Sequence, residues 1–320
     1  MRLSLVTLYL TERCNSRCVT CDYWRHGRVD VGLDLIERLI PSLVSLGTRV
    51  ALISGGEPLL HPHWPEIAQR LKDVGIGPWL LTSGLSLAKH ARRASQLFDS
   101  ITVSLDGTNS RTYQAIRGLD AFEKVCEGIQ AAVANGSKVG LRVTLQRANY
   151  RELPLFVELA HRLGVNNISF LAVDVANPHA FGRTDAFTSD LALSAEDLPV
   201  FGDLIAGLEQ HRAADFESGF IAESPAKMRR LQQYFAAVLG TSAYPPVRCN
   251  APEFSAVVGV RGTVQPCFFI AGPTSAANDV DLEHVLNQPE MIDLRNSIRA
   301  GQRAECVGCV CSLYRETLEP

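Results

Sequence analysis

The chain has 320 residues, 46% hydrophobic and 20% charged, with a formal net charge of −3. This length suits one large α/β domain, or a large domain plus a small one. The faint acidity gives a polyanion such as nucleic acid no reason to bind. No apolar run approaches the roughly 20 residues that a membrane span needs. The opening MRLSLVTLYL is too short for a signal peptide and is interrupted at once by Thr11, Glu12 and Arg13. Nine cysteines without a secretion signal indicate a reducing, cytoplasmic setting and metal binding.

Along the chain, short apolar runs alternate with amphipathic stretches. Strands are expected at Leu5–Leu10, Val50–Ser54, Trp79–Thr82, Ile101–Leu105, Gly140–Leu145 and Ile168–Val173. Helical patterns cover Leu33–Leu46, Trp64–Val74, Leu85–Leu97, Phe122–Ala134 and Glu152–Leu163, with Gly47, Gly75, Gly136 and Gly164 near their ends as caps. Such alternation predicts right-handed βαβ units and a parallel sheet. Six units are too few to close an eight-fold barrel. Residues 176–248 break the rhythm with Pro178, Gly182, Pro199 and Pro225, and read as a helical covering segment. Its helices are expected near Ala195–Gln210 and Pro225–Leu239, the second capped by Ser224. A hairpin follows at Ser255–Val260 and Thr263–Ile270, turning at Arg261-Gly262, and a helix near Pro289–Ala300 leads to the last cysteines.

Two of the cysteine groupings carry chemistry. Cys14-x3-Cys18-x2-Cys21 directly follows the first apolar run. Three thiolates leave one metal position open, whereas a structural zinc or a closed cubane takes four protein ligands. A zinc site with a distant fourth ligand is the alternative. The second apolar run ends in Ser54-Gly55-Gly56-Glu57-Pro58, where two glycines allow close backbone approach to a ligand and Glu57 offers an acceptor for an ammonium group. Cys126, on one helical face with Phe122, Val125, Ile129 and Val133, reads as a small buried hydrophobe. His61 and His63, beside prolines, read as polar surface.

CNSRCVTC followed by GGEP resembles the radical S-adenosylmethionine (radical SAM) superfamily. The resemblance implies an open, partial (β/α)6 TIM-like barrel. It also implies a [4Fe–4S] cluster on Cys14, Cys18 and Cys21 whose free iron chelates SAM and yields a 5′-deoxyadenosyl radical. Gly55, Gly56 and Glu57 would orient the SAM amino group. Ser83, in Thr82-Ser83-Gly84, stands where the family often has asparagine. Ser104 and Asp106 are placed for the ribose or the methionyl part, Arg117 for the SAM carboxylate, and Thr144 and Gln146 end the fifth strand. Taken singly, each of these later residues fits ordinary turn chemistry equally well. One departure is Thr20, where an aromatic residue commonly precedes the third cysteine; Tyr23 and Trp24 follow and take over the covering role.

The last quarter carries Cys249-x12-Gly262-x4-Cys267, then Cys306-x2-Cys309-x-Cys311. This is similar to the SPASM and twitch auxiliary-cluster domains of the same superfamily. Five cysteines are too few for two fully ligated cubanes. The shortened twitch form, with one auxiliary [4Fe–4S] cluster on Cys249, Cys267, Cys306 and Cys309, is therefore expected; a four-cysteine zinc site is the alternative. Cys311 is the spare thiol, a replacement for Cys309 or a catalytic hydrogen-atom donor. The resulting division is a core at 1–175, a covering segment at 176–248 and an auxiliary domain at 249–320. The expected activity is a radical SAM oxidoreductase or isomerase that dehydrogenates, epimerises or rearranges a small molecule such as a sugar, cyclitol or specialised metabolite. An electron donor such as flavodoxin or ferredoxin would feed it. The first cysteine at residue 14 leaves little room for a leader-binding domain, which favours the small molecule. The alternatives are maturation of a ribosomal peptide or protein, and group transfer. A metal-carrying scaffold would have no need of GGEP or Arg117.

Overall fold

Runs rich in valine, isoleucine and leucine, bounded by glycine, proline and aspartate, form six parallel strands in chain order. They are β1 (Leu5–Thr11), β2 (Val50–Gly55), β3 (Gly77–Thr82), β4 (Ser100–Ser104), β5 (Val139–Leu145) and β6 (Asn167–Ala172). The structure, a computed structural model, describes residues 2–175, 177, 180–183, 189–272, 281–311 and 313–315. Pro178 therefore lies outside the described residues. Each strand from β1 to β5 pairs in parallel with its successor. Two later strands, β7 (Ser255–Val258) and β8 (Val264–Gln265), complete an eight-stranded sheet in the order β6-β5-β4-β3-β2-β1-β7-β8. β7 lies parallel to β1, and β8 returns antiparallel to β7. The hairpin is shorter than expected and continues the barrel sheet.

Helices at Leu33–Ser45, Trp64–Asp73, Leu87–Leu97, Phe122–Ala134 and Leu153–Leu163 cover one face of this sheet. On that face Val6, Leu8, Ile101, Val103, Leu141 and Val143 are fully buried. Their alternates Thr7, Tyr9, Thr102, Ser104, Arg142 and Thr144 are only half-buried. Two-sided burial would give continuous apolar strands; this alternation marks the second face as an open concave surface. The outer edge of β6 is covered, because Ile168 N–H donates to Phe220 O at 2.7 Å and Phe170 N–H to the Glu223 carboxylate at 2.7 Å.

One helix, Ser110–Arg117, was not anticipated. Its start looks like a turn in sequence, but the Asn109 side chain accepts the Thr112 N–H at 3.0 Å, and Gly118 ends it at φ 73°. Beyond the barrel, helices form at Asp197–His211 and Pro225–Val238, the second capped by Ser224 accepting from Lys227 N–H at 3.3 Å. Another runs from Pro289 to Arg299.

Candidate active site

The front cysteine loop hangs from the carboxyl ends of the strands. Past a register shift, Thr11 of β1 pairs with Gly55 of β2. Gly56 N–H donates to Thr11 O at 2.7 Å, and Glu57 N–H to Arg13 O at 2.8 Å. A Cβ on Gly55, at φ 128°, would stand 2.4 Å from Thr11 O; one on Gly56 would stand 2.3 Å from Arg13 O. The close approach that needs both glycines is therefore to the chain's own backbone, at the root of the cysteine loop.

Glu57 is likewise turned inward. Its carboxylate accepts from Thr82 Oγ1 at 2.8 Å, Leu59 N–H at 3.1 Å, Ser83 N–H at 2.7 Å and Ser83 Oγ at 2.7 Å. Burial pushes its pKa up while these donors pull it down. Glu57 thus ties the end of β2 to the end of β3. Ser83 Oγ also lies 3.2 Å from Asn15 Oδ1, inside the loop between the first two cysteines.

Behind the loop stands Arg117. Arg17 N–H donates to Arg117 O at 3.0 Å and Val19 N–H to Ile116 O at 2.9 Å, so the chain around Cys18 is strung along the end of the Ser110–Arg117 helix. The buried Arg117 guanidinium pairs with Asp106 at 2.7 Å and lies 3.6 Å from Cys18 Sγ. Burial opposes its charge, but Asp106 and Cys18 hold it firmly protonated. Asp106 in turn accepts Thr144 N–H at 2.7 Å. Asp106, Arg117 and Thr144 are thus joined, and Ser104 is half-buried on the concave face nearby. Trp24 Nε1–H donates to Cys18 O at 3.3 Å, and Tyr23 meets Tyr9 edge-on at 6.0 Å.

The donor set fits a cluster. Burial pushes the Cys14 thiol up to about 11, with Cys18 adding to the rise, and Cys21 up to about 12, with Cys18 and Cys14 adding. The three thiols therefore sense one another. Among the described residues, no three His, Cys, Asp or Glu side chains sit close enough to share a single ion. Thiols held this high become thiolates when a metal takes the proton's place. Ser16 Oγ, Tyr113 OH and Arg117 Nε are buried with no hydrogen-bond partner among the described residues, which suits a polar group lodged beside the loop.

In the second grouping the thiols again lie within electrostatic reach of one another. Burial pushes Cys267 up to about 12, with Cys309, Cys249 and Cys306 adding to the rise; Cys306 reaches about 11, with Cys309 and Cys249. Cys249 and Cys306 line a cleft of about 550 Å³. Burial pushes Cys311 up to about 11, with Cys309 and Cys249 adding to the rise and Arg142 and Lys227 opposing it.

Sequence reasoning missed the strap between the two groupings. Phe181, at φ 63°, accepts Asp22 N–H at 2.9 Å and the Cys21 thiol at 3.3 Å through its carbonyl. The Phe181 ring meets Phe268 at 4.8 Å, next to Cys267. Arg183, buried, donates to Asp174 O at 2.6 Å and Asn177 O at 3.0 Å, and Asn177 Nδ2–H donates to Phe269 O at 2.8 Å. Alternation rules carry no signal for an irregular segment whose polar residues are buried. His61 is another correction: it is buried, its Nε2 3.0 Å from Val31 O and its Nδ1 accepting His63 N–H at 3.2 Å. It braces a loop, while His63 is exposed as expected. Cys126 is buried as read.

The family model of the radical SAM superfamily matches residues 8–171, half of the chain and all of this front site. The chain belongs to the radical SAM superfamily. As a member it uses a [4Fe–4S] cluster and SAM. Among curated proteins it is similar to the Fe-coproporphyrin III synthase of Methanosarcina barkeri, at 31% identity over 226 residues, covering 68% of this chain and 54% of that protein. It is also similar to a probable GTP 3′,8-cyclase of Methanococcus maripaludis, at 28% identity, covering 60% of this chain and 67% of that protein. The chain thus spans about half the length of the first of these relatives. Among solved structures, native anSMEcpe with bound AdoMet and Cp18Cys peptide superposes with a TM-score of 0.69 at 17% identity. That match covers 98% of this chain and 88% of the other, and it shows the shared fold. No helix among the described residues is long and apolar enough to cross a membrane.

Proposed function

We propose that this radical SAM enzyme holds its SAM-binding cluster on Cys14, Cys18 and Cys21 and one auxiliary [4Fe–4S] cluster on Cys249, Cys267, Cys306 and Cys309. Its substrate is a small molecule. Reduction of the bound cluster and SAM supplies a 5′-deoxyadenosyl radical for hydrogen abstraction. Arg117 presents a buried cation at Cys18, where the SAM carboxylate would lie, and Asp106 fixes its direction. Glu57, Ser83 and the two glycines hold the loop in place. Thr144 and Ser104 face the open concave surface where the methionyl part or ribose would rest. Asp106 itself is spent on Arg117 and acts by positioning it.

The observation that carries the small-molecule reading is a cleft of about 360 Å³ between the end of β6 and the C-terminal cysteines. Asp174, Asn177, Tyr244, Glu305 and Gly308 line it. Its volume is that of a small-ligand site, and its polar groups suit a hydroxylated or amino-bearing substrate. The names of the two curated relatives, a coproporphyrin synthase and a GTP cyclase, are also those of small-molecule enzymes. Dehydrogenation, epimerisation or rearrangement is the chemistry proposed. Peptide maturation is the second reading, favoured by the anSMEcpe fold match, a protein solved with a peptide. Anaerobically reconstituted enzyme would be offered hydroxylated and amino-bearing metabolites and, separately, cysteine-containing peptides. Substrate-dependent 5′-deoxyadenosine with a metabolite supports the proposal; turnover with peptides alone overturns it.

A further inference from the structure

Of all the residues in β1–β6, Arg142 alone carries a charge. It lies in the middle of β5, level with Ser104 on β4 and Ser169 on β6, and shares the concave face with them. Its strand neighbours Leu141 and Val143 are buried on the opposite, helix-covered face. The protein does not spend this guanidinium on itself. Its Nε is buried without a partner, and among the described residues the side chain makes no hydrogen bond or ion pair. Ser169 Oγ–H is turned away, donating to Leu141 O at 3.2 Å.

The charged groups around Arg142 are Glu223 and Cys311, and Lys227 acts on both of these as well. Glu223 is already engaged: its carboxylate accepts Phe170 N–H at 2.7 Å and lies 3.9 Å from Lys227 Nζ. Arg142 and Lys227 together outweigh that one acid, on a face otherwise built of hydroxyls and apolar groups. A cation held partly out of water without an acceptor is costly, so keeping one points to a ligand that completes it. We infer that Arg142 anchors an oxyanion of the substrate, a carboxylate or a phosphate, in two parallel N–H···O bonds, with Lys227 adding charge. This deepens the small-molecule reading and rests on it: the substrate is an acid. Arg142 stands two residues, about 7 Å along the strand, from Thr144 at the carboxyl end of β5. An oxyanion held there leaves the rest of a small molecule reaching toward the strand ends that carry the front site.

The test melts reconstituted full-length enzyme in potassium phosphate and in potassium acetate, each against potassium chloride of equal ionic strength. Wild type, Arg142→Met and Arg142→Lys are compared. An anion that binds only the folded enzyme raises the melting temperature as its concentration rises. The wild type should show that rise with phosphate or acetate, Arg142→Lys part of it, and Arg142→Met none. In chloride, Arg142→Met should melt at or above the wild-type temperature, because it removes an unpaired cation and keeps the packing of the stem. An equal rise in wild type and Arg142→Met overturns the anchor, and so does a wild type that responds to neither anion. A lower melting temperature for Arg142→Met in chloride would make the arginine structural. Loss of bound iron in that variant would assign it to the C-terminal cysteines; either result overturns the proposal. Turnover is then read with matched acids and neutral counterparts, glucuronate and glucose 6-phosphate against glucose among them. Substrate-dependent 5′-deoxyadenosine confined to neutral members overturns it; with an acid that turns over, Arg142→Met should raise KM by about tenfold or more. A wild type that neither holds iron at the front cysteines nor cleaves SAM with dithionite would bring down the radical SAM reading of the site. The melting series still decides the anchor in that case.

Discussion

The two cysteine groupings are held in different ways. Around the front loop, backbone hydrogen bonds from Gly56, Glu57, Arg17 and Val19 fasten the chain to strand ends and to the Ser110–Arg117 helix. The C-terminal cysteines sit on irregular chain. Cys306 belongs to a four-residue helical turn, Ala304–Val307, and Val307 is 55% exposed. Among the described residues, Asn250 ties the two segments: its N–H donates to Leu313 O at 3.1 Å, and Arg315 N–H donates to its side chain at 2.9 Å. The barrel holds the first loop by its own backbone, and if the second grouping binds the proposed cluster, that cluster would add cross-links where regular structure is sparse.

The sharpest break in that comparison is Cys18→Ala. Two thiolates cannot hold the front cluster, so SAM cleavage should vanish and bound iron should fall by about four per chain. Because the barrel supplies the scaffold, melting temperature should change little; iron assay and calorimetry on one preparation check both. Cys267→Ala should also lose about four irons, yet retain uncoupled SAM cleavage while product formation collapses. Hydrogen exchange should then speed up across residues 249–311 and stay slow in β1–β5. Loss of protection in both regions would erase the distinction.

Arg117→Ala comes next. It should weaken SAM binding by about 1.5–3 kcal/mol, the range for a hydrogen bond to a charged group. It also strands the buried Asp106 carboxylate and should cost about 3–5 kcal/mol of stability. Adding Asp106→Asn should recover much of the stability and none of the SAM affinity. Isothermal titration and denaturant melts separate the two, and unchanged affinity would remove Arg117 from the SAM site. Glu57→Gln is smaller. An amide placed among four donors turns its NH2 against at least one of them, and about 1–3 kcal/mol of stability should be lost, read by urea denaturation.

Much of the barrel was legible because regular elements write themselves in periodicity. The six strand runs, the cap at Ser224 and the cysteine spacings are local patterns. What stayed hidden is non-local. The internal ties of Glu57 were hidden because a lone acid after two glycines gives no hint of the Thr82 and Ser83 hydroxyls that fold onto it from the end of β3. His61 looked like surface because its acceptor, Val31 O, lies thirty residues away in sequence. The hairpin read as a separate unit because nothing in Ser255–Val258 announces that its partner is β1. The strap at 180–183 has no period at all.

That strap makes the last test, because it is where the two sites touch. Asn177 is buried, with its side chain donating to Phe269 O, two residues past Cys267, and its own carbonyl accepting from Arg183. Asn177→Ala removes the first link and leaves the second, which is made by backbone. The loss should be about 1 kcal/mol, the net worth of one neutral hydrogen bond. Its location matters more than its size. If the C-terminal group is the weakly anchored one, faster exchange in Asn177→Ala should be confined to residues near Phe268 and Phe269, while amides around Cys14–Cys21 keep their wild-type rates. Equal acceleration on both sides would mean that the strap orders the front loop as much as the rear one. The front loop would then depend on the C-terminal group as well as on its own strand ends.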